Sequence, residues 1–125
     1  MILIRTPYRL TLGGGSTDLP AYYEKYGGFI FAVTIDLYMY VGLNRPSFDD
    51  RIRLKYFEIE EVDDVEELRH DLVKHALKRL GINKNIDMFS LADIPDKTGL
   101  GSSSTFLVGL LNALHTLKGD NFSRQ

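Results

Sequence analysis

The stretch "IPDKTGLGSSSTFLVGLLNAL", residues 94–114, decides how the chain is read. Two glycines and three serines run directly into an apolar pattern in which Phe106, Leu107, Leu110, Leu111, Leu114 and Leu117 recur at helical spacing. The pattern predicts a helix that begins near Ser102 and ends at Gly119. Amides at a helix start lack intrahelical partners and lie at the positive end of the helix dipole. Glycines that let the chain curl there can therefore form a pocket for an anion, phosphate above all. Ser102, Ser103 and Ser104 add hydroxyls that can bond phosphate oxygens or enter the shell of Mg2+. The competing reading is a flexible turn followed by a serine N-cap, and the stretch alone leaves both open. It is not a Walker A loop, having no Gly-Lys-Ser or Gly-Lys-Thr triplet, nor a full dinucleotide fingerprint, because Ser104 stands at the third glycine position.

A second glycine-rich bend lies in "TPYRLTLGGGSTDLP", residues 6–20, flanked by Arg9 and Asp18. An arginine can clamp a phosphate, and an aspartate can accept hydrogen bonds from sugar hydroxyls. A tight turn capped by Asp18 is the alternative.

Outward from these bends, residues 2–12 predict two short strands broken at Pro7, since proline cannot donate to a central ladder. Thr17 or Asp18 offers an N-cap to a short helix that stops at Gly27 and Gly28. Residues 29–43, rich in β-branched and aromatic side chains, predict a hairpin turning at Asp36. The alternation of Ile52, Leu54 and Tyr56 with Arg51, Arg53 and Lys55 predicts an edge or half-exposed strand. Apolar residues at 65, 68, 72, 76, 77 and 80 predict one helix over 64–80, and "IDMFSLA" a further strand. The order suggests an α+β fold in which helices cover one face of a mixed sheet.

Composition narrows the classes. The 125 residues suffice for one domain, and a formal charge of −2 gives no broad basic field for nucleic acid or an anionic membrane surface. No cysteine is present, which excludes disulfides and thiolate zinc sites and suits the cytoplasm. His70, His75 and His115 lack metal-ligand spacing and read as surface or boundary residues. Tyr22, Tyr23 and Tyr26 read as packing residues, although one could line a sugar site.

Together the two bends resemble the GHMP kinase family. Its first motif, Pro-x-Arg-x-x-Leu-x-Gly, is matched by Pro7, Arg9, Leu12 and Gly14, and its phosphate loop by Pro95, Gly99, Leu100, Gly101, Ser102 and Ser103. Lys97 stands where the loop's first glycine is usual, and could crowd the bend or offer a charge to a phosphate. Residues 13–28 look most like the family's D-glycero-D-manno-heptose phosphate kinases, with fucose kinases next. Gly15 and Ser16 replace the Glu-His pair of galactokinases and mevalonate kinases.

The resemblance implies a ribosomal protein S5 domain 2-like fold and transfer of a phosphoryl group from ATP, with Mg2+, to a sugar hydroxyl. It implies ATP contacts from Pro95, Lys97, Gly99, Leu100, Gly101, Ser102, Ser103 and Ser104, with Ser103 nearest the metal. It further implies substrate contacts from Arg9, Gly15, Ser16, Thr17 and Asp18, with Arg9 also stabilising charge in catalysis. Family members are about twice this length or more, so the expectation is an incomplete ATP-loop domain, inactive alone. The catalytic aspartate and second domain would lie outside it, and exposed core could favour a homo-oligomer. The rival expectation is an anion-binding module without chemistry.

Overall fold

The computed structural model describes residues 1–95 and 98–119. Its elements are strand β1 (Ile2–Gly13), helix α1 (Pro20–Tyr26), strands β2 (Phe31–Asn44), β3 (Ile52–Lys55) and β4 (Ile59–Val62), a 3-10 turn (Val65–Glu67), helix α2 (Asp71–Arg79), strand β5 (Ile86–Ala92) and helix α3 (Ser102–Lys118). The strands form one mixed sheet in the order β1-β2-β5-β3-β4, parallel only between β3 and β5. This is the α+β arrangement expected.

One face of the sheet is the core. Met39, Val41 and Leu43 of β2, Ile86 and Met88 of β5, and Ile52 and Leu54 of β3 pack with Phe106, Leu110, Ala113 and Leu114 of α3 and Val73, Ala76 and Leu77 of α2. Gly109 lets α3 approach the sheet, since a β-carbon there would lie 2.8 Å from Thr6 Oγ1 and 3.3 Å from Val41 Cγ2. The opposite face carries exposed Leu3, Ile59 and Leu91 and an ion-pair cluster in which Arg53 meets Asp49, Glu61 and Asp87.

Four expectations are corrected. Pro7 does not break β1, because β1 is an edge strand where a missing N–H is tolerated. Asp36 is no turn either. The register steps from Pro7↔Tyr38 to Arg9↔Thr34, so residues 35–37 of β2 bulge opposite the fully buried Tyr8. β1 and β2 thus continue past β5 as a two-stranded arm that carries the glycine bend and α1.

The strand predicted around Ile52 is a hairpin, closed where Tyr56 N–H donates to the Glu58 carbonyl at 2.9 Å, and β3 is interior because β4 takes the edge. The helix predicted over 64–80 is interrupted. Asp64 caps only the 3-10 turn, Leu68 turns extended and buries its side chain, and α2 starts afresh after His70. The extended path at 68–70 is held by Arg69 N–H donating to Glu60 Oε2 at 2.8 Å, a pairing invisible to helical periodicity.

Candidate functional site

The helix start is not a serine-capped turn. Gly99 and Gly101 both take positive φ of 76°, a conformation that costs an L side chain about 1–2 kcal/mol. Gly101 is the N-cap of α3, and no side chain caps the helix. The first intrahelical bond is Thr105 N–H to the Gly101 carbonyl at 2.9 Å, which leaves the amides of Ser102, Ser103 and Ser104 without intrahelical partners.

Arg9 stands beside this loop. A β-carbon on Gly101 would lie 3.6 Å from Arg9 Nε and 3.7 Å from Arg9 Cζ, so the absent side chain leaves the guanidinium against the loop backbone. Arg9 Nη1 donates to Thr11 Oγ1 at 2.7 Å, which steadies it. Arg9 and Ser104 also line a common open groove between β1 and α3. The two motifs therefore converge, and a guanidinium beside unpaired amides suits a phosphate.

Ser102 and Ser103 face another space, a cavity of about 360 Å³ that Pro95 also lines. Leu100 packs against the core and anchors the loop. Lys97 lies outside the described residues. The cavity's far wall is aromatic: Tyr56 meets Phe57 edge-on at 4.7 Å and His70 edge-on at 4.9 Å, and His70 lies 5.4 Å from the Phe106 ring. Phe57 is 81% exposed, an aromatic face without cover. Such rings beside the glycine-serine loop form a surface on which a planar heterocycle could stack.

Sequence reasoning missed this wall. His70 reads in sequence only as a surface or boundary residue; it is half-buried, lines the cavity and caps α2, its Nδ1 accepting from Val73 N–H at 3.5 Å. The one available signal was the Tyr56-Phe57 pair ending an alternating strand.

The glycine bend forms a separate, open concavity lined by Thr17, Asp18, Tyr23, Gly28, Phe29 and Ile30. The Thr17 hydroxyl accepts from Phe29 N–H at 3.1 Å and lies 2.7 Å from the Gly14 carbonyl, clipping the bend to the start of β2. Neither Thr17 nor Asp18 caps α1. Its N-cap is Leu19, with no side-chain cap, because Thr17 is spent on the clip and Pro20 sits in the first turn. Asp18 is exposed on the concavity, while Gly15 and Ser16 form the exposed tip of the bend. Tyr22, Tyr23 and Tyr26 do not pack into the core: α1 buries none of its side chains, the Tyr22 and Tyr26 rings lie 5.3 Å apart, and Tyr23 lines the concavity.

Among the described residues no cluster of three or more His, Asp or Glu side chains could hold a metal. Among the described residues, the serine hydroxyls at the start of α3 are donors that would fit Mg2+ when phosphate oxygens and water complete its shell.

Residues 68–125 match the family described as the GHMP kinases N terminal domain. A D-glycero-alpha-D-manno-heptose 7-phosphate kinase of Campylobacter jejuni is 34% identical over 123 residues, 90% of this chain and 36% of that protein. The crystal structure of a D-glycero-D-manno-heptose 1-phosphate kinase from Bacteroides thetaiotaomicron superposes with a TM-score of 0.83 at 27% identity, covering 95% of this chain and 42% of that one. A Methanococcus jannaschii mevalonate kinase shares the fold, with a TM-score of 0.73 at 19% identity, over 98% of this chain and 42% of that one. The chain thus spans 36% to 42% of the length of these proteins.

Proposed function

We infer, from the chain's grouping by fold and by sequence with the N-terminal domains of GHMP kinases, that it forms the ATP-phosphate-binding part of a sugar kinase. The observation that carries this reading is the convergence of Arg9 with the uncapped start of α3. The acceptor is a D-glycero-D-manno-heptose phosphate, the substrate class named for two similar proteins.

The loop amides of Ser102, Ser103 and Ser104 and the guanidinium of Arg9 would hold and neutralise the phosphates of ATP. Phosphoryl transfer depends mostly on positioning and charge neutralisation. The Tyr56, Phe57 and His70 wall would receive the base. Ser103 would offer its hydroxyl to Mg2+, which when bound neutralises charge on the transferring phosphoryl group. Asp18 would accept hydrogen bonds from acceptor hydroxyls, with Gly15, Ser16 and Thr17 shaping that pocket.

The catalytic base and the remaining metal carboxylate would come from outside these 125 residues, so the chain binds without turnover. A cytoplasmic setting follows from the substrates, and no helix among the described residues is long and apolar enough to cross a membrane.

Thermal denaturation of the chain with Mg2+ alone, with MgATP, and with MgATP plus a heptose phosphate tests the reading. Stabilisation by MgATP and further stabilisation by the sugar are expected, with no phosphorylated sugar formed. MgATP stabilisation with no response to the sugar would favour an anion-binding module, and no response to either would overturn the reading.

A further inference from the structure

β4 carries a carboxylate where its pattern calls for an apolar side chain. Glu60 stands opposite Leu54 in the β3–β4 register, facing the core like Ile52, and is 4% exposed. It is the one charged side chain buried in the core among the described residues. Removing a carboxylate from water is costly, and an apolar residue would fill such a site at less cost. A departure from the local pattern of this kind points to a role beyond packing.

The two carboxylate oxygens reach the two sides of the aromatic wall. Oε1 accepts from the Tyr56 hydroxyl at 2.5 Å, holding the ring that contacts both Phe57 and His70 edge-on. Oε2 accepts from Arg69 N–H at 2.8 Å, and Arg69 Nε lies 3.8 Å away. That amide bond fixes the extended step between the 3-10 turn and α2, and so places His70 at the cap of α2 and in the cavity wall. One side chain thus sets the strand side and the helix side of the same surface.

We propose that Glu60 is a positioning residue for base recognition: it holds Tyr56 and His70 in the geometry that receives the heterocycle of the nucleotide, without touching it. The proposal rests on the nucleotide reading above. Titration keeps the pair in one donor–acceptor sense. Burial, then the bond to Glu60, pushes the Tyr56 phenol up to about 12. Burial also pushes the Glu60 carboxyl up, but the Tyr56 hydroxyl, the Arg69 amide and the Arg69 charge outweigh it and leave it below its ordinary value. Around neutral pH Tyr56 therefore donates and Glu60 accepts.

Calorimetric titration of the chain with ATP and with inorganic tripolyphosphate, both with Mg2+, separates the base from the phosphates. Three variants are compared with wild type. Glu60→Leu fills the site with apolar atoms, its fold being checked by circular dichroism before titration; Glu60→Gln leaves one amide oxygen for two donors; Tyr56→Phe removes only the hydroxyl. Each should weaken ATP binding, by about tenfold for the two Glu60 variants, while tripolyphosphate binding stays within about twofold of wild type.

A merely structural role predicts instead that the well-folded Glu60→Leu binds ATP like wild type, which would overturn the proposal alone. Equal losses for ATP and tripolyphosphate, or wild-type ATP affinity in Tyr56→Phe, would also overturn it. If wild type binds the two ligands with equal affinity, or binds neither, the nucleotide reading falls and the proposal with it.

Discussion

Arg9 of β1 and Gly101 at the start of α3 lie against each other, such that a β-carbon on Gly101 would sit 3.6 Å from Arg9 Nε. This contact joins the two glycine-rich segments into one site. Gly101 also holds a φ of 76°. Gly101→Ala should therefore lower stability by about 1–2 kcal/mol and weaken ATP binding by straining the left-handed turn that presents the loop amides. Denaturant unfolding and ATP titration check the two effects, and Arg9→Ala should show the second without a comparable loss of stability.

Gly109 makes a second close approach, with a β-carbon 2.8 Å from Thr6 Oγ1. Alanine improves helix propensity by roughly 1 kcal/mol, but forcing α3 off the sheet costs typically about 1–3 kcal/mol. Gly109→Ala should be destabilising on balance. Thr6→Ala should restore much of the loss when combined with it, as a double-mutant cycle by chemical denaturation would reveal.

Ser103 lines the cavity beside the aromatic wall, whereas Ser104 lines the groove beside Arg9. Ser103→Ala should weaken ATP binding measured with Mg2+ more than Ser104→Ala, and the difference should shrink when Mg2+ is removed. Equal, mild effects in both variants would count against a metal-facing hydroxyl at Ser103.

Asp18 caps no helix, since Leu19 occupies the N-cap of α1. Asp18→Asn should leave the melting temperature nearly unchanged and weaken binding of the heptose phosphate by about tenfold, the loss of roughly 1.4 kcal/mol of charge-assisted hydrogen bonding. Thr17→Val should do the reverse first: loss of the clip to Phe29 and Gly14 costs about 1 kcal/mol of stability.

Glu60 should mark the acid side of the stability profile. Its folded pKa is depressed on balance, so it contributes stability above the unfolded carboxylate range that is lost as pH falls through the folded value. Wild type should lose stability between about pH 5 and pH 3 more steeply than Glu60→Gln, measured by denaturant unfolding across that range.

The elements that read correctly from the chain were those whose information is local. Helix α3 shows an apolar face sustained over several turns, a Gly-Ser entry and a glycine stop, and it spans Ser102–Lys118 with Gly119 at its C-cap. β5 matches the predicted "IDMFSLA". The errors share a cause. Pro7 and Asp36 look like breaks until strand order puts one on an edge and the other in a bulge opposite Tyr8. The 64–80 helix looks continuous until Arg69 N–H is drawn to Glu60.

The sequence by itself determined the class of the fold, the two glycine-rich bends and the residue types that suit a phosphate, because periodicity, positive-φ glycines and side-chain chemistry are properties of short segments. Only the tertiary structure decided that Arg9 faces the Gly101 loop, that Tyr56, Phe57, His70 and Phe106 form one wall, and that Glu60 holds it. Those relations arise where β1 meets α3 and where the β3–β4 hairpin, α2 and α3 pack together, and the spacing of residues along a chain carries no record of which distant segments will meet.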